Sequence, residues 1–366
     1  MPQRNHVVEL GALPPQVDAA LQTEGAENFF LSRPWFDNYL TTVQPSRAAP
    51  LILCAQTESG CAVLPMKQYA GWVNGITVRT LFGAQNYYSC LFGPAVAGAH
   101  TPELYDRLLG AAIASRPDTL DLHPLDPASP SFDAMQAALR RHGWLVDTYF
   151  CFGNWQHAVN GQSFADYFNT LPSKLKNTIR RKRQALDKAG NARLEIITGG
   201  DDVERLITDY TTIYHASWKQ PEPYPDFMPG LIRTCARHGW LRGGIAYVGN
   251  QPAAAQIWIV HNGQALIYKL AYDEQFGKLS IGSILTTLLM ERVIDVDRVQ
   301  LIDYLMGDEP YKRDWMSCRN ERRGIIAYNP RTLAGLLGAA RHFGGKWLRR
   351  LRQRTTTKAP PDDIPD

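Results

Sequence analysis

Three polar residues near the carboxyl end of the chain interrupt or follow apolar sequence. Asp303 lies inside the run LIDYLM, and Tyr311 and Lys312 lie in the cluster GDEPYK just beyond it. A carboxylate, a phenol and an ammonium suit the transfer of an acyl group to an amine. The amine must lose a proton, the tetrahedral oxyanion must be stabilised, and the leaving group must be protonated. Asp303, if buried without a cation, would have a raised pKa and could take or orient the amine proton. Tyr311 can give its phenolic proton to a leaving thiolate, and Lys312 can hold an oxyanion or a substrate anion. The plain alternative for Lys312 is a surface ion pair with Asp308 or Glu309, which is worth little.

Upstream lies a loop rich in small and polar residues: Gln275, Gly277, Lys278, Ser280, Gly282 and Ser283. Small residues at the start of a helix leave backbone N–H groups open to an anion such as the pyrophosphate of an acyl donor. The alternative is a turn whose glycines serve backbone angles only. Just before the loop, Lys269, Ala271 and Asp273 alternate along a strand and share one face, next to Tyr272. A Lys and an Asp on one face of a central strand either pair with each other or line a cleft. His215 and Trp218 close a helical stretch, TDYTTIYHASW, and precede a segment rich in Pro and aromatics, KQPEPYPDFMPG. His215 is a candidate base and Trp218 a candidate cleft wall.

These residues need a scaffold, and the pattern supplies one. From residue 264 to 315 an apolar strand runs into the small-residue loop, then an apolar helix, then the strand LIDY. That is a βαβ unit with its chemistry at the carboxyl ends of strands. Before it, three strands read from GWLRGGIAYVGNQPAAAQIWIVHNGQALIYKLAYDE, and helices read over FADYFNTLPSKLKNTIRRKRQALDKAG and DVERLITDYTTIYHASW. The first part of the chain has a similar order. LSRPWFDNYL is a helix start with Ser32 as cap and Pro34 in its first turn. PLILCAQTESGCAVLPMKQY is strand, turn, strand. TPELYDRLLGAAIASRP is a helix capped by Thr101. TLDLHPL is a strand, and FDAMQAALRRHGW a helix. TLDLHPL would then correspond to QLIDYLM, with Asp121 opposite Asp303. Either the chain is a duplication, or it is one large α/β domain with an N-terminal extension.

The stretch GDEPYK, an acidic-Gly cluster followed by Tyr-Lys after the last strand of a βαβ unit, resembles the acyl-donor half of the GNAT acyltransferase fold. It is most similar to the branch of the Fem aminoacyltransferases and CelD-like proteins. The Leu171-Pro172-Ser173 step before a basic run and the segment KQPEPYPDFMPG also resemble that branch. The resemblance implies an α/β fold with a mixed sheet, two GNAT-like domains in tandem and the donor site in the second. The expected division is residues 1–155, 156–330 and a tail over 331–366. It implies a role in substrate binding and catalysis for Lys312 and an acceptor-binding segment over residues 219–230. It also implies acyl-CoA or an acyl carrier protein as co-substrate, with no permanently bound cofactor, and an amine acceptor. An aminoacyl-tRNA donor and a non-catalytic polysaccharide-assembly role are the alternatives. The usual donor loop has Gln or Arg followed closely by two glycines; here Gln275 and Gly277 are followed by Gly282 at a longer spacing.

Composition sets the remaining bounds. With 366 residues, 45% hydrophobic and 20% charged, the chain can bury a large core and is comfortable as two domains. A net charge of +4 does not by itself require nucleic acid. It is clustered, however: between Lys174 and Lys188 stand seven Lys or Arg against one Asp, either a solvated face or a dock for tRNA or an acidic carrier protein. The six Cys form no zinc spacing and no disulfide framework, so we expect reduced thiols, no metal site and a cytoplasmic location. No apolar h-region opens the sequence and no window reaches roughly 18 apolar residues, so neither a signal peptide nor a spanning helix is expected. Residues 331–354 read as basic amphipathic helix, with Leu333, Leu336, Leu337, Trp347, Leu348 and Leu351. That pattern suits packing on its own domain or contact with a membrane surface or polyanion. The final APPDDIPD reads as disordered.

Overall fold

The structure is a computed structural model that describes residues 13–43, 49–73 and 75–356. The expected disorder of residues 359–366 lies outside them. The elements of the first half are α1 (Pro15–Glu27), α2 (Arg33–Thr42), β1 (Ala49–Gln56), β2 (Gly60–Val73), β3 (Ile76–Gly83), β4 (Ala95–Gly98), α3 (Pro102–Ala114), β5 (Thr119–Leu125), α4 (Pro130–Arg141) and β6 (Leu145–Ala158). The second half has α5 (Phe164–Thr170), α6 (Ser173–Ala189), β7 (Ala192–Ile197), α7 (Asp202–His215), α8 (Phe227–Arg237), β8 (Leu241–Val248), β9 (Gln251–His261), β10 (Gln264–Tyr272), α9 (Ile281–Glu291), β11 (Leu301–Met306), α10 (Pro310–Trp315), β12 (Cys318–Tyr328) and α11 (Leu333–Thr356). The caps act as their types demand: the Ser32 hydroxyl accepts from Trp35 N at 3.3 Å and the Thr101 hydroxyl from Leu104 N at 3.3 Å.

Both halves build one mixed sheet, in the order β1-β2-β3-β5-β12-β6-β11-β10-β9-β8-β7, with β4 beside β2. The order is nearly palindromic. In each half an antiparallel run leads to one parallel pair, β3 with β5 and β10 with β11. The last strand of each half then crosses over and pairs with the other half: β12 lies against β5, and β6 against β11. Asp121 and Asp303 occupy equivalent registers, paired with Phe82 and Leu266. The repeated order of elements read from the sequence is therefore matched by a repeated strand order, with both halves joined in a single sheet. The 155/156 division falls inside β6. Neither crossing strand, nor α1 or α8, carries a local pattern that the sequence reading picked up.

Three apolar layers hold the sheet. Over the first half, α3 and α4 bury Leu104, Leu108, Met135 and Leu139 against Leu64, Leu81 and Leu120. Over the second, α5, α6 and α9 bury Tyr167, Ile179, Ile284 and Leu289 against Trp258 and Ile302. On the opposite face, α1 and α2 of the first half pack with α7 and α8 of the second. There Leu21, Trp35 and Phe36 share a core with Leu206, Phe227 and Leu231. That shared layer fixes the two halves relative to each other.

Candidate active site

The parallel pair β10–β11 holds together for only three residue pairs, the last being Leu266 with Asp303. Beyond it both strands are irregular. The register of β10 slips between Ile267 and Lys269, and that of β11 against β6 slips between Asp303 and Met306. Leu305 has φ +56° and Gly307 φ +114°. A left-handed Leu is costly and is retained where surroundings over-determine it. At Gly307 a φ of that value is one that L side chains rarely adopt, so the turn favours glycine. The two strands thus part at their carboxyl ends, and the gap opens toward α10.

α10 carries the Tyr-Lys pair on a short helix just beyond β11. Lys312 is 4% exposed, not a surface residue. Its ammonium donates to the Met306 carbonyl, lies 3.0 Å from Glu309 Oε2 and sits 5.6 Å over the Tyr304 ring. Asp308 pairs instead with Arg319 at 2.6 Å and accepts from Trp155 Nε1 at 2.8 Å, tying the turn to β12 and β6. Tyr311 packs edge-on against Tyr304, with ring centroids 5.8 Å apart. Burial of its hydroxyl end, with Glu309 adding, pushes the phenol up, so it keeps its proton at neutral pH.

Asp303 does not behave as the sequence suggested. It is buried, and its carboxylate accepts from Asn154 Nδ2 at 2.5 Å, Leu305 N at 2.6 Å and Gln156 Nε2 at 2.7 Å. Three donors hold it as a clamp between β11 and β6, facing a small polar cavity rather than the cleft. A role as base has no geometric support.

Lys269 also differs. Its partner is Glu222 at 3.1 Å, with both side chains about one-tenth exposed, while Asp273 is engaged with Gln275 beyond the end of β10. Glu222 further accepts from the hydroxyls of Tyr87 and Tyr88, and Lys269 donates to Tyr87 at 2.8 Å. Burial alone would raise the Glu222 carboxyl, but Lys269 and the two phenols outweigh it and hold it below its ordinary value. Beside this group lies Lys219, 5.8 Å from both the Tyr214 and Trp218 rings. Burial, reinforced by repulsion from Lys269, lowers its ammonium to about 8. Met306, whose carbonyl accepts from Lys312, lines the same cleft as Tyr87, which accepts from Lys269, so the two clusters border one cleft. Lys219, Glu222 and Tyr87 were missed as individual residues. For Lys219 and Glu222 the signal was there in KQPEPYPDFMPG, a segment with the acceptor-site character but no way to rank its side chains.

The donor loop is partly as expected. A 3-10 turn (Glu274–Leu279) precedes α9, and Asp273 caps it by accepting from Gln275 N at 3.0 Å. The Gln275 amide also donates to Asp273 at 2.7 Å, so Gln275 and Asp273 are spent on each other. The left-handed residue is Ser280, φ +55°; Gly277 and Gly282 have ordinary angles. The glycines are therefore not there for backbone freedom. A Cβ at either would only touch the Tyr272 ring, at 3.4 and 3.7 Å, so both keep the helix entrance low and open. Lys278 is exposed and its carbonyl accepts from Lys182 of the basic helix α6 at 2.5 Å. The Ser283 carbonyl accepts from Thr287. Trp218 stands 4.7 Å from Tyr272, walling the loop on the α7 side. His215 is exposed at the end of α7, outside this grouping.

On the first-half side, a cleft of about 780 Å³ leads to the same point. Phe82, His123, Tyr149 and Phe152 line it, and Tyr87 and Met306 are shared with the cluster. Asn86 also lines it, and its Nδ2 is buried without a partner.

Comparison with known proteins agrees with this fold. The family model described as "Acetyltransferase (GNAT) domain" matches residues 173–313. No curated protein matches the chain. Among solved structures, FemX superposes with TM-score 0.59 at 8% identity over 89% of this chain and 97% of its own. L-PGS from Bacillus licheniformis gives 0.53 at 11% identity, covering 91% and 98%. The C-terminal domain of a putative lysylphosphatidylglycerol synthetase from Agrobacterium fabrum gives 0.51 at 10%, covering 88% and 94%. At such identities these likenesses speak to the fold. Residues 173–313 match the GNAT domain model, and nearly the whole chain adopts a GNAT-like fold similar to that of FemX.

Proposed function

We propose that the chain is an N-acyltransferase that joins an activated acyl group to a primary amine by direct attack. The observation that carries this reading is the Lys219–Glu222–Lys269–Lys312–Glu309 cluster. It sits where the aromatic cleft meets the parted ends of β10 and β11. In this reading the donor lies along the open entrance of α9 with its acyl carbonyl in the strand gap. The acceptor fills the cleft, beside Tyr87 and Met306. Neutral Lys219, available from about pH 8 upward, takes the proton of the attacking amine. The C–N bond forms as the carbonyl becomes an oxyanion, which the Lys312 ammonium stabilises. Collapse breaks the carbon–sulfur or carbon–oxygen bond, and the Tyr311 hydroxyl protonates the departing group.

An acyl thioester, acyl-CoA first, is the donor we favour. A polyanionic donor, aminoacyl-tRNA or acyl carrier protein, has one observation behind it: α6 brings its cations against the donor loop through the Lys182–Lys278 hydrogen bond. Thiol release with a panel of acyl-CoAs and amines tests the reading. Turnover only with charged tRNA, abolished by ribonuclease, would move the donor to the second class. No transfer from any donor would refute it. Reversing Arg180, Arg181 and Arg183 to Glu separates the donors further. It should weaken transfer from a polyanionic donor, least at high salt, and spare transfer from free acyl-CoA.

A further inference from the structure

α11 is amphipathic in the opposite sense to a helix packed on its own domain. Its polar side faces the protein. His342 Nε2 lies 2.6 Å from Asp147 Oδ2, and the Lys346 ammonium pairs with the same carboxylate. Gly335 and Ala339 are buried on that side. Its apolar side faces outward, with Leu333 67%, Leu336 46%, Leu337 50%, Phe343 38%, Trp347 63% and Leu348 53% exposed. At about 100° per residue these six fall within one arc of about 140°. A continuous row of that kind on a water-facing surface marks a contact site.

The charge around the row says what covers it. From Arg331 to Lys358 the sequence has eight Lys or Arg and no Asp or Glu. Arg341 is exposed in the middle of the helix. A second copy of the chain meeting this face would set those cations against their own kind. A bilayer with anionic headgroups satisfies both features, because apolar side chains enter the headgroup–acyl boundary while Lys and Arg meet lipid phosphates. Tryptophan suits that boundary in particular. Among the described residues no helix is long and apolar enough to cross a membrane, so the contact lies in the plane of the surface.

We propose that α11 docks the protein on anionic lipid surfaces through the row from Leu333 to Leu348. The proposal stands independently of the acyl-transfer reading. Co-sedimentation of the full chain with phosphatidylcholine vesicles, with and without phosphatidylglycerol, tests it. The protein should pellet with the anionic vesicles only, and less so as ionic strength rises. Trp347→Ser with Leu348→Ser should lower partitioning at least about tenfold, from the apolar area withdrawn. Arg341→Glu should lower it about fivefold or more, by reversing one surface charge. Because all three positions are exposed, melting of the variants should match the parent. Acyl transfer to a soluble amine should also be unchanged. Failure of the parent to bind anionic vesicles, or unchanged binding by the Trp347/Leu348 variant, would overturn the proposal. So would a parent dimer in light scattering that the variant loses, since a second copy would then cover the face.

Discussion

Lys312→Met separates a structural clamp from a chemical group, because the structure assigns Lys312 a job in each capacity. As a clamp, its ammonium satisfies the Met306 carbonyl at the end of β11 and faces Glu309. Methionine keeps the length and apolar stem but removes the donor. A partly buried carbonyl left unpaired costs about 1–3 kcal/mol. The pair with Glu309, which is 56% exposed, adds only about 0–1 kcal/mol. The sum is about 2 kcal/mol, against a typical total stability of about 5–15 kcal/mol, so the variant should fold. Its melting point should fall by a few degrees, roughly 2–6 °C. As an oxyanion donor, Lys312 should also matter to the rate by about 10²–10³, the range for loss of one such group. Differential scanning calorimetry and single-turnover acyl transfer, run at a temperature well below the transition, read the two effects apart. A lowered melting point with a rate within a few-fold of the parent would show a clamp and nothing more. Tyr311→Phe is the companion: it should leave melting nearly unchanged and lower the rate by about 10²–10⁴ if the phenol protonates the leaving group.

Three further predictions follow from the site. Lys219 becomes a base only when it loses its proton, so the rate should rise with pH through about 8. With a hydrazide acceptor, whose own proton is lost far below that, the limb belongs to the enzyme; it should vanish in Lys219→Met, and its persistence would reassign the base. Glu222 has its carboxyl held below its ordinary value of 4.5, so its ionised form stabilises the fold above that pH and the contribution fades as pH falls through the lowered value. The melting deficit of Glu222→Gln should therefore be largest near neutrality and close in acid; a pH-independent deficit would contradict the electrostatic assignment. Gly282→Val fits the backbone, since a Cβ there is 3.7 Å from Tyr272, so it should fold normally yet weaken acyl-CoA binding measured by calorimetry. Unchanged affinity would remove the donor from the α9 entrance.

Local pattern alone identified the βαβ unit, the Tyr-Lys pair after its last strand, the capped helices and the repeat that sets Asp121 opposite Asp303. Each rests on short-range chemistry: periodicity of 2 or 3.6, a cap hydroxyl, a small residue at a helix start. The sequence also identified the amphipathic tail, but not which side of it faces the protein. Three things needed the tertiary structure. The crossing of β6 and β12 did, because pairing partners 160 or more residues apart, such as Gln156 with Cys318, leave no trace in either strand's own pattern. The partners of the charged groups did as well. Lys269 pairs with Glu222, 47 residues away in sequence, rather than with Asp273, and three amides turn Asp303 from a candidate base into a clamp. Last, the depressed ammonium of Lys219 arises from burial and from Lys269, residues apart in sequence and adjacent only once the sheet has formed. A residue's type fixes the charge it can carry; the pKa and the partner of that charge depend on solvent exclusion and neighbours, and folding decides both.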